Sequence, residues 1–321
     1  MTSAGVAPDS RIRLLAWSAL WLTIAVVAGG ALVRATDSGA GCGASWPICG
    51  GKVVPHIGTY HTAIEFSHRM ATGLLGIVLV TLLVLVRRRY PKGHHLRGAV
   101  YAAGTFLVVE SLLGASLVLF GWVEYDASIA RLIVVPVHLI NTFLLIGSMA
   151  LIAYFASGGG TFRVDWSRPR DKLLTGSLGI ILFIGASGAL DALADTLIFS
   201  GHLRVAAPGE LLVTEPVLRQ IRTIHPFVAI AGGLAVYMLV RYLTDDAEPG
   251  VRRLGFGVQL VIWFQFILGM MNIALEVPLE IQLVHLFVAD VLWVLTLLIA
   301  FNLLRARSGV PDAAPTPAGA L

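Results

Sequence analysis

The sequence predicts an all-α membrane protein whose eight transmembrane helices form two tandem four-helix bundles of the same orientation. Three observations carry that expectation: a composition too apolar for a soluble domain, eight hydrophobic runs of spanning length, and matches between the two halves of the chain. Of 321 residues, 57% are apolar and only 13% charged, against roughly 25% charged in an average soluble domain, and the mean hydropathy is +0.82. The same figures exclude disorder, a collagenous repeat and a disulfide-rich secreted fold, the last because the chain has two cysteines. The net charge of +4 belongs to loops beside anionic membrane lipid. No nucleic acid is expected as a partner, since no run of Lys and Arg is interleaved with aromatic residues.

About 20 apolar residues cross roughly 30 Å of hydrocarbon, and runs of that order lie at 14–33, 62–86, 98–120, 134–155, 173–192, 222–243, 254–275 and 282–304. They are too long and continuous for barrel strands, and a helix satisfies its own backbone in lipid. The first run follows Arg11 and Arg13 and carries the small-residue patch Ala28-Gly29-Gly30-Ala31, as a secretory leader would. Its apolar stretch is too long for a leader, so it counts as a helix. A cytoplasmic N-terminus, 1–13, thus precedes an N-terminal bundle at 14–155. A cytoplasmic linker, 156–172, leads to a C-terminal bundle at 173–304. The remaining 305–321, with Pro311, Pro315 and Pro317 among Ala and Gly, is expected to be a disordered cytoplasmic tail. Of the 23 Lys and Arg, sixteen fall on the side of the two termini; only Arg34, Lys52, Arg69, Arg131, Arg204, Arg219 and Arg222 fall on the other. That excess places both termini in the cytoplasm and the chain, as a multi-pass protein, in the cell membrane.

Two outer loops are long, 34–61 and 193–221, and long loops in a compact protein tend to carry function. The first holds both cysteines, in Cys42-Gly-Ala-Ser-Trp-Pro-Ile-Cys49. On the outer side of a membrane a disulfide is chemically permitted, and Gly43 and Pro47 let the chain turn between the sulfurs. A redox-active dithiol is an alternative. A metal site is a weaker one, because no matching His/Cys cluster accompanies the pair.

An offset near 155 residues lays Gly30-Ala31-Leu32 on Gly188-Ala189-Leu190, Leu113-Gly114 on Leu268-Gly269 and His68 on His225, with His138 near His285. Four helices are an even number, so both copies keep the same orientation, and the matched Gly and Ala let helices approach closely. His56, His61, His94, His95 and His202 fall in loops or at helix edges. His68, His138, His225 and His285 instead lie inside the second, fourth, sixth and eighth runs, where an ionisable group is costly and turns inward. Two imidazoles from facing helices suit the axial positions of a haem iron, and a bundle interior supplies an apolar slot for the macrocycle. Zinc would want further ligands beside each pair. Arg34, Arg69, Arg131, Arg219 and Arg222 stand near the same ends, placed to meet propionates or to snorkel to headgroups. Glu65 is three residues before His68 and shares its helical face. Its repeat-equivalent is Arg222, so the two sites are expected to differ, unless Glu65 is only a first-turn carboxylate stabilised by the helix dipole.

The segments Gly30-Ala-Leu-Val-Arg-Ala-Thr-Asp-Ser-Gly-Ala-Gly-Cys42, Trp46-Pro-Ile-Cys49 and Ile64-Glu-Phe-Ser-His-Arg69, followed by single histidines on the fourth, sixth and eighth runs, resemble bacterial haem A synthases. The resemblance extends over essentially all eight helices. It implies an oxidoreductase that converts the C8 methyl of haem O to a formyl group, giving haem A for terminal oxidases. It implies that Glu65 is catalytic, that His68 and His138 ligate the substrate haem O, that His225 and His285 hold one haem B cofactor, and that Cys42 and Cys49 form the loop disulfide. A haem O synthase (a farnesyltransferase), a haem-copper oxidase and an unidentified electron donor are the implied partners; a homo-oligomer is left open. Two departures stand out. The third outer loop, 193–221, lacks the second cysteine pair that some members carry, and Gly43-Ala44-Ser45 stands where Pro-Asp is common after the first cysteine. A non-catalytic dihaem b-type cytochrome explains the four histidines equally well, but neither the Glu65/Arg222 asymmetry nor the 34–61 loop. A transporter would show broken helices near the midplane, and the polar residues cluster at the outer ends instead.

Overall fold

In a computed structural model, residues 8–199 and 213–305 are described. The expectations for residues 1–7, for 200–212 of the second long loop, and for the tail beyond Arg305 fall outside the described residues. The regular structure is helical: α1 (Ser10–Ala35), α2 (Tyr60–Arg89), α3 (His95–Leu119), α4 (Ile129–Ala156), α5 (Pro169–Phe199), α6 (Glu215–Thr244), α7 (Pro249–Ala274) and α8 (Leu279–Leu303). All eight are long and apolar enough to cross a membrane, as the composition predicts. Large side chains such as Ile77, Val108, Phe227, Met238 and Phe256 are exposed on their flanks, the arrangement expected of a bundle covered by lipid.

Most helices overrun the apolar runs that announce them. The largest difference is at the second long loop, where α5 continues through Asp191 and Asp195 to Phe199 and α6 already starts at Glu215. A hydropathy window stops at charges, whereas a helix continues when those charges are paired. Arg219 Nε donates to Glu215 Oε1 at 3.0 Å, one turn apart, and Arg222 pairs with Asp195 across the two helices. Starts are set by side-chain caps: Asp9 accepts from the amides of Arg11 and Ile12, Thr59 from Thr62 and Ser128 from Arg131. His94, an edge histidine in the sequence, caps α3 by accepting from the amide of Leu96 at 3.2 Å.

In the first half α1 packs on α2 and α4, and α3 packs on the same two; in the second α5 packs on α6 and α8, and α7 packs on the same two. The halves meet where α4 lies against α5 and α8, and α1 against α8. At that seam Phe143 stacks on Trp293 with ring centroids 5.6 Å apart, and Trp293 Nε1 donates to the Phe143 carbonyl at 2.6 Å. Gly185 lets α5 approach: a Cβ there would stand 2.5 Å from the Phe143 ring.

Candidate functional site

Each of the four intramembrane histidines lies within about the first three turns of its helix, and each faces a glycine of the preceding helix. A Cβ at Gly30 would stand 3.1 Å from His68 Cε1, and one at Gly188 3.0 Å from His225 Cε1. At Gly114 and Gly269 the distances to the Cε1 atoms of His138 and His285 would be 3.8 and 3.6 Å. The absent side chains leave room for the rings to lie flat against neighbouring backbone. His68 is within electrostatic range of His138 and Glu110, and His285 of His225. The structure thus brings His68 and His138 together in one half and His225 and His285 in the other. Beside His68 a cleft of about 340 Å³ runs between α1 and α2, lined by Val26, Gly29, Leu32, Ile64 and Ser67.

Glu65 is 3% exposed and both its oxygens are used. Oε2 accepts from the Cys42 amide at 2.7 Å, and Oε1 pairs with Arg69. Arg69 Nη1 in turn donates to the Ser45 carbonyl at 2.7 Å and to those of Pro47 and Ile48 at 3.3 Å. Cys42 and Cys49 form a disulfide, buried under this clamp. Thr62 Oγ1 donates to the Gly41 carbonyl at 2.8 Å, so the loop is seated on the first two turns of α2. A Cβ at Gly41 would come within 2.5 Å of the His61 backbone, which makes glycine a requirement of that seating.

The other arginines singled out in the sequence also have protein partners. Arg34 Nη1 donates to the Ala192 carbonyl at 2.7 Å and to Thr196 Oγ1 at 2.6 Å, and its Nη2 to Gln282 Oε1 at 3.1 Å. It therefore ties α1 to the second half. Arg131 Nη1 donates to the carbonyls of Glu124 and Asp126 at 2.6 and 2.8 Å. Between them, burial pushes the Asp37 carboxyl above its ordinary range, against the pull of Arg131, Arg34 and His61. Arg222, the counterpart of Glu65, is neutralised by Asp195 and lies 4.8 Å from the centre of the Phe199 ring. The asymmetry is thus between a carboxylate pinned to a loop and a guanidinium pinned to a carboxylate.

The residues fit a haem in each half on grounds internal to the structure. The Nδ1 atom of His285 is buried with no hydrogen-bond partner among the described residues. His225 Nδ1 lies 2.9 Å from Ser187 Oγ, which leaves Nε2 free, the arrangement that outer partners impose on a metal-binding imidazole.

One group escapes a reading centred on histidines. Glu110, on α3, has its Oε1 3.0 Å from His138 Nε2. Asn141 Nδ2 donates to its Oε2 at 2.6 Å, and Thr142 Oγ1 donates to Oε1. The signal was a lone carboxylate within the apolar run 98–120.

With this geometry in hand, comparisons place the chain among known proteins. It is 40% identical over 298 residues to a protein of Thermus thermophilus named protoheme IX farnesyltransferase, covering 92% of this chain but 49% of that protein. The chain therefore spans about half the length of the curated relatives it matches at that identity. Proteins named heme A synthase align end to end: one from Lysinibacillus sphaericus is 26% identical over 92% of this chain and 96% of its own length. Another, from Geobacillus kaustophilus, is 26% identical over 96% and 97%. The profile of the COX15-CtaA family, cytochrome oxidase assembly proteins, matches residues 13–59 and 57–297, nearly the whole eight-helix body; the chain belongs to that family.

Proposed function

We propose that this chain is a haem A synthase, an oxidoreductase that converts the C8 methyl of haem O to a formyl group. The observation that carries the reading is the pair of histidine sites with unequal polar surroundings, on a chain whose heme A synthase relatives align with it from end to end. In this reading the first half, 14–155, takes haem O as substrate between His68 and His138, and the second half, 173–304, keeps haem B between His225 and His285. The recurrence of the facing glycine in all four helix pairs, and the same ring of packing in each half, support a duplicated four-helix unit.

Turning a methyl into a formyl group replaces two C–H bonds by one C=O bond, takes its oxygen from water and releases four electrons and four protons. The chain therefore needs a substrate site and an electron exit to an external electron acceptor, which takes the four electrons while the four protons pass to water. His225 and His285 would hold haem B, which when bound would supply one-electron transfer. Ser187 fixes the His225 ring through Nδ1, and Gly188 keeps the approach open. Glu65 serves the first half electrostatically, one turn from His68, by favouring positive charge at the reacting carbon or by orienting water. Its bond to the Cys42 amide ties that charge to the disulfide loop.

The positive-inside excess supports cytoplasmic termini in the cell membrane, with both sites toward the outer face. The farnesyltransferase named among the relatives makes a haem O-producing neighbour a natural partner, and a haem-copper oxidase a natural recipient. The test is expression in cells that make haem O but no haem A, followed by mass analysis of extracted pigment. Haem A should appear with the wild-type chain; haem O and haem B alone would support a dihaem b-type cytochrome instead.

A further inference from the structure

On the reading above, the haem of the first half is a substrate and has to leave, whereas the haem B of the second half stays. Two imidazoles in each half would hold both alike, so another feature must loosen the first. The halves differ around the second histidine of each pair. In the first, His138 Nε2 lies 3.0 Å from Glu110 Oε1, and Asn141 and Thr142, both buried, hold that carboxylate by its two oxygens. Aligning Leu113-Gly114 with Leu268-Gly269 puts Gln265 at the place of Glu110, four residues before the glycine in each helix. Counted from the histidine, the counterparts of Asn141 and Thr142 are Val288 and Ala289. Gln265 donates to the backbone carbonyl of His285 at 3.0 Å, not to its ring, and His225 is held through Nδ1. Among the described residues, only in the first half does a carboxylate lie against the Nε2 of one of these four histidines.

A single ring nitrogen presents either its N–H to a carboxylate or its lone pair to an iron. We propose that Glu110 is a positioning residue that competes with the haem iron for Nε2 of His138, and so keeps ligation in the first half exchangeable. As the iron–Nε2 bond breaks, the contact to Glu110 forms, the ring's one proton sitting on Nδ1 in the ligated state and on Nε2 in the released one. Asn141 and Thr142 keep the carboxylate aimed to receive the ring. The competing arrangement, in which His138 binds through Nδ1 and Glu110 supports it from behind, predicts the opposite effect of removing the carboxylate.

The full chain, purified in detergent with haem B in the second half and haem O loaded into the first as probe, is mixed with excess apomyoglobin and haem release is followed by absorbance. The wild type should show a fast and a slow phase, the fast one abolished by His68→Ala. Glu110→Gln, which keeps shape, and Glu110→Asp, which draws the carboxylate back by one methylene, should each slow the fast phase. The expected effect is about 10- to 100-fold, the range for a hydrogen bond to a charged group, with the slow phase unchanged. Either variant suffices if the other fails to fold. A fast phase unchanged or accelerated, or first-half haem lost on purification, overturns the role of Glu110 while leaving the two-site reading standing. A wild-type chain with no His68-dependent phase overturns both.

Discussion

Glu65 shows how one side chain can be placed by its neighbours for a charge effect elsewhere. Its position three residues before His68 was legible from spacing alone, since i and i+3 share a helical face. Its partners were not, because the Cys42 amide that it accepts from lies 23 residues away. Glu65→Gln keeps the size but sets an amide N–H against either the Cys42 amide or Arg69, and removes the charge beside the first histidine site. Removal of one such electrostatic contact typically costs on the order of 100- to 1000-fold in rate. Haem A in pigment extracts should fall by that order at matched protein levels, with haem O accumulating and haem B at His225 and His285 retained. Near-normal haem A would reduce Glu65 to a clamp for the loop. Glu110 was missed for a related reason: its meaning rests on the ring of His138, on the next helix, and no spacing in the sequence expresses that distance.

At the scale of elements, the eight spans were legible because lipid demands long apolar helices, but their ends were not. The reach of α5 to Phe199 and of α6 back to Glu215 depends on pairs such as Arg222 with Asp195, which a hydropathy window scores as breaks. The helix contacts turn on glycine. Gly188→Val would drive a branched side chain into the His225 ring from a Cβ already 3.0 Å away. Overpacking of that kind costs about 1–3 kcal/mol, and the ring should swing out of register. The low-spin haem spectrum of the purified protein should lose the second-half component, while Gly176→Val, with open space at its Cβ, should leave it intact. The outer loop gives a second check. Cys42 and Cys49 should resist alkylation until reduced, and quantitative labelling of freshly isolated, unreduced protein would contradict the buried disulfide.

For the molecule as a whole, the sequence matches between halves put the histidines at equivalent depths, whereas the facing of each by a glycine and the seam between the halves were invisible. Arg34, placed by the sequence to meet propionates or to snorkel to headgroups, is bonded across that seam to Ala192, Thr196 and Gln282. Arg34→Met would remove those three hydrogen bonds, although the Ala192 carbonyl still accepts from Thr196 Oγ1, at a cost of about 3 kcal/mol for charged hydrogen bonds. A thermal melt in detergent should fall by several degrees; an unchanged melt would mean that the seam rests on helix packing and not on Arg34. The central claim is that two similar histidine pairs do different work, and the bound pigment of two variants tests it most directly. In cells supplied with haem O, purified His225→Ala should carry unoxidised haem O and no haem B, while purified His68→Ala should carry haem B alone. The same pigment in both variants, haem B in each, would contradict the account.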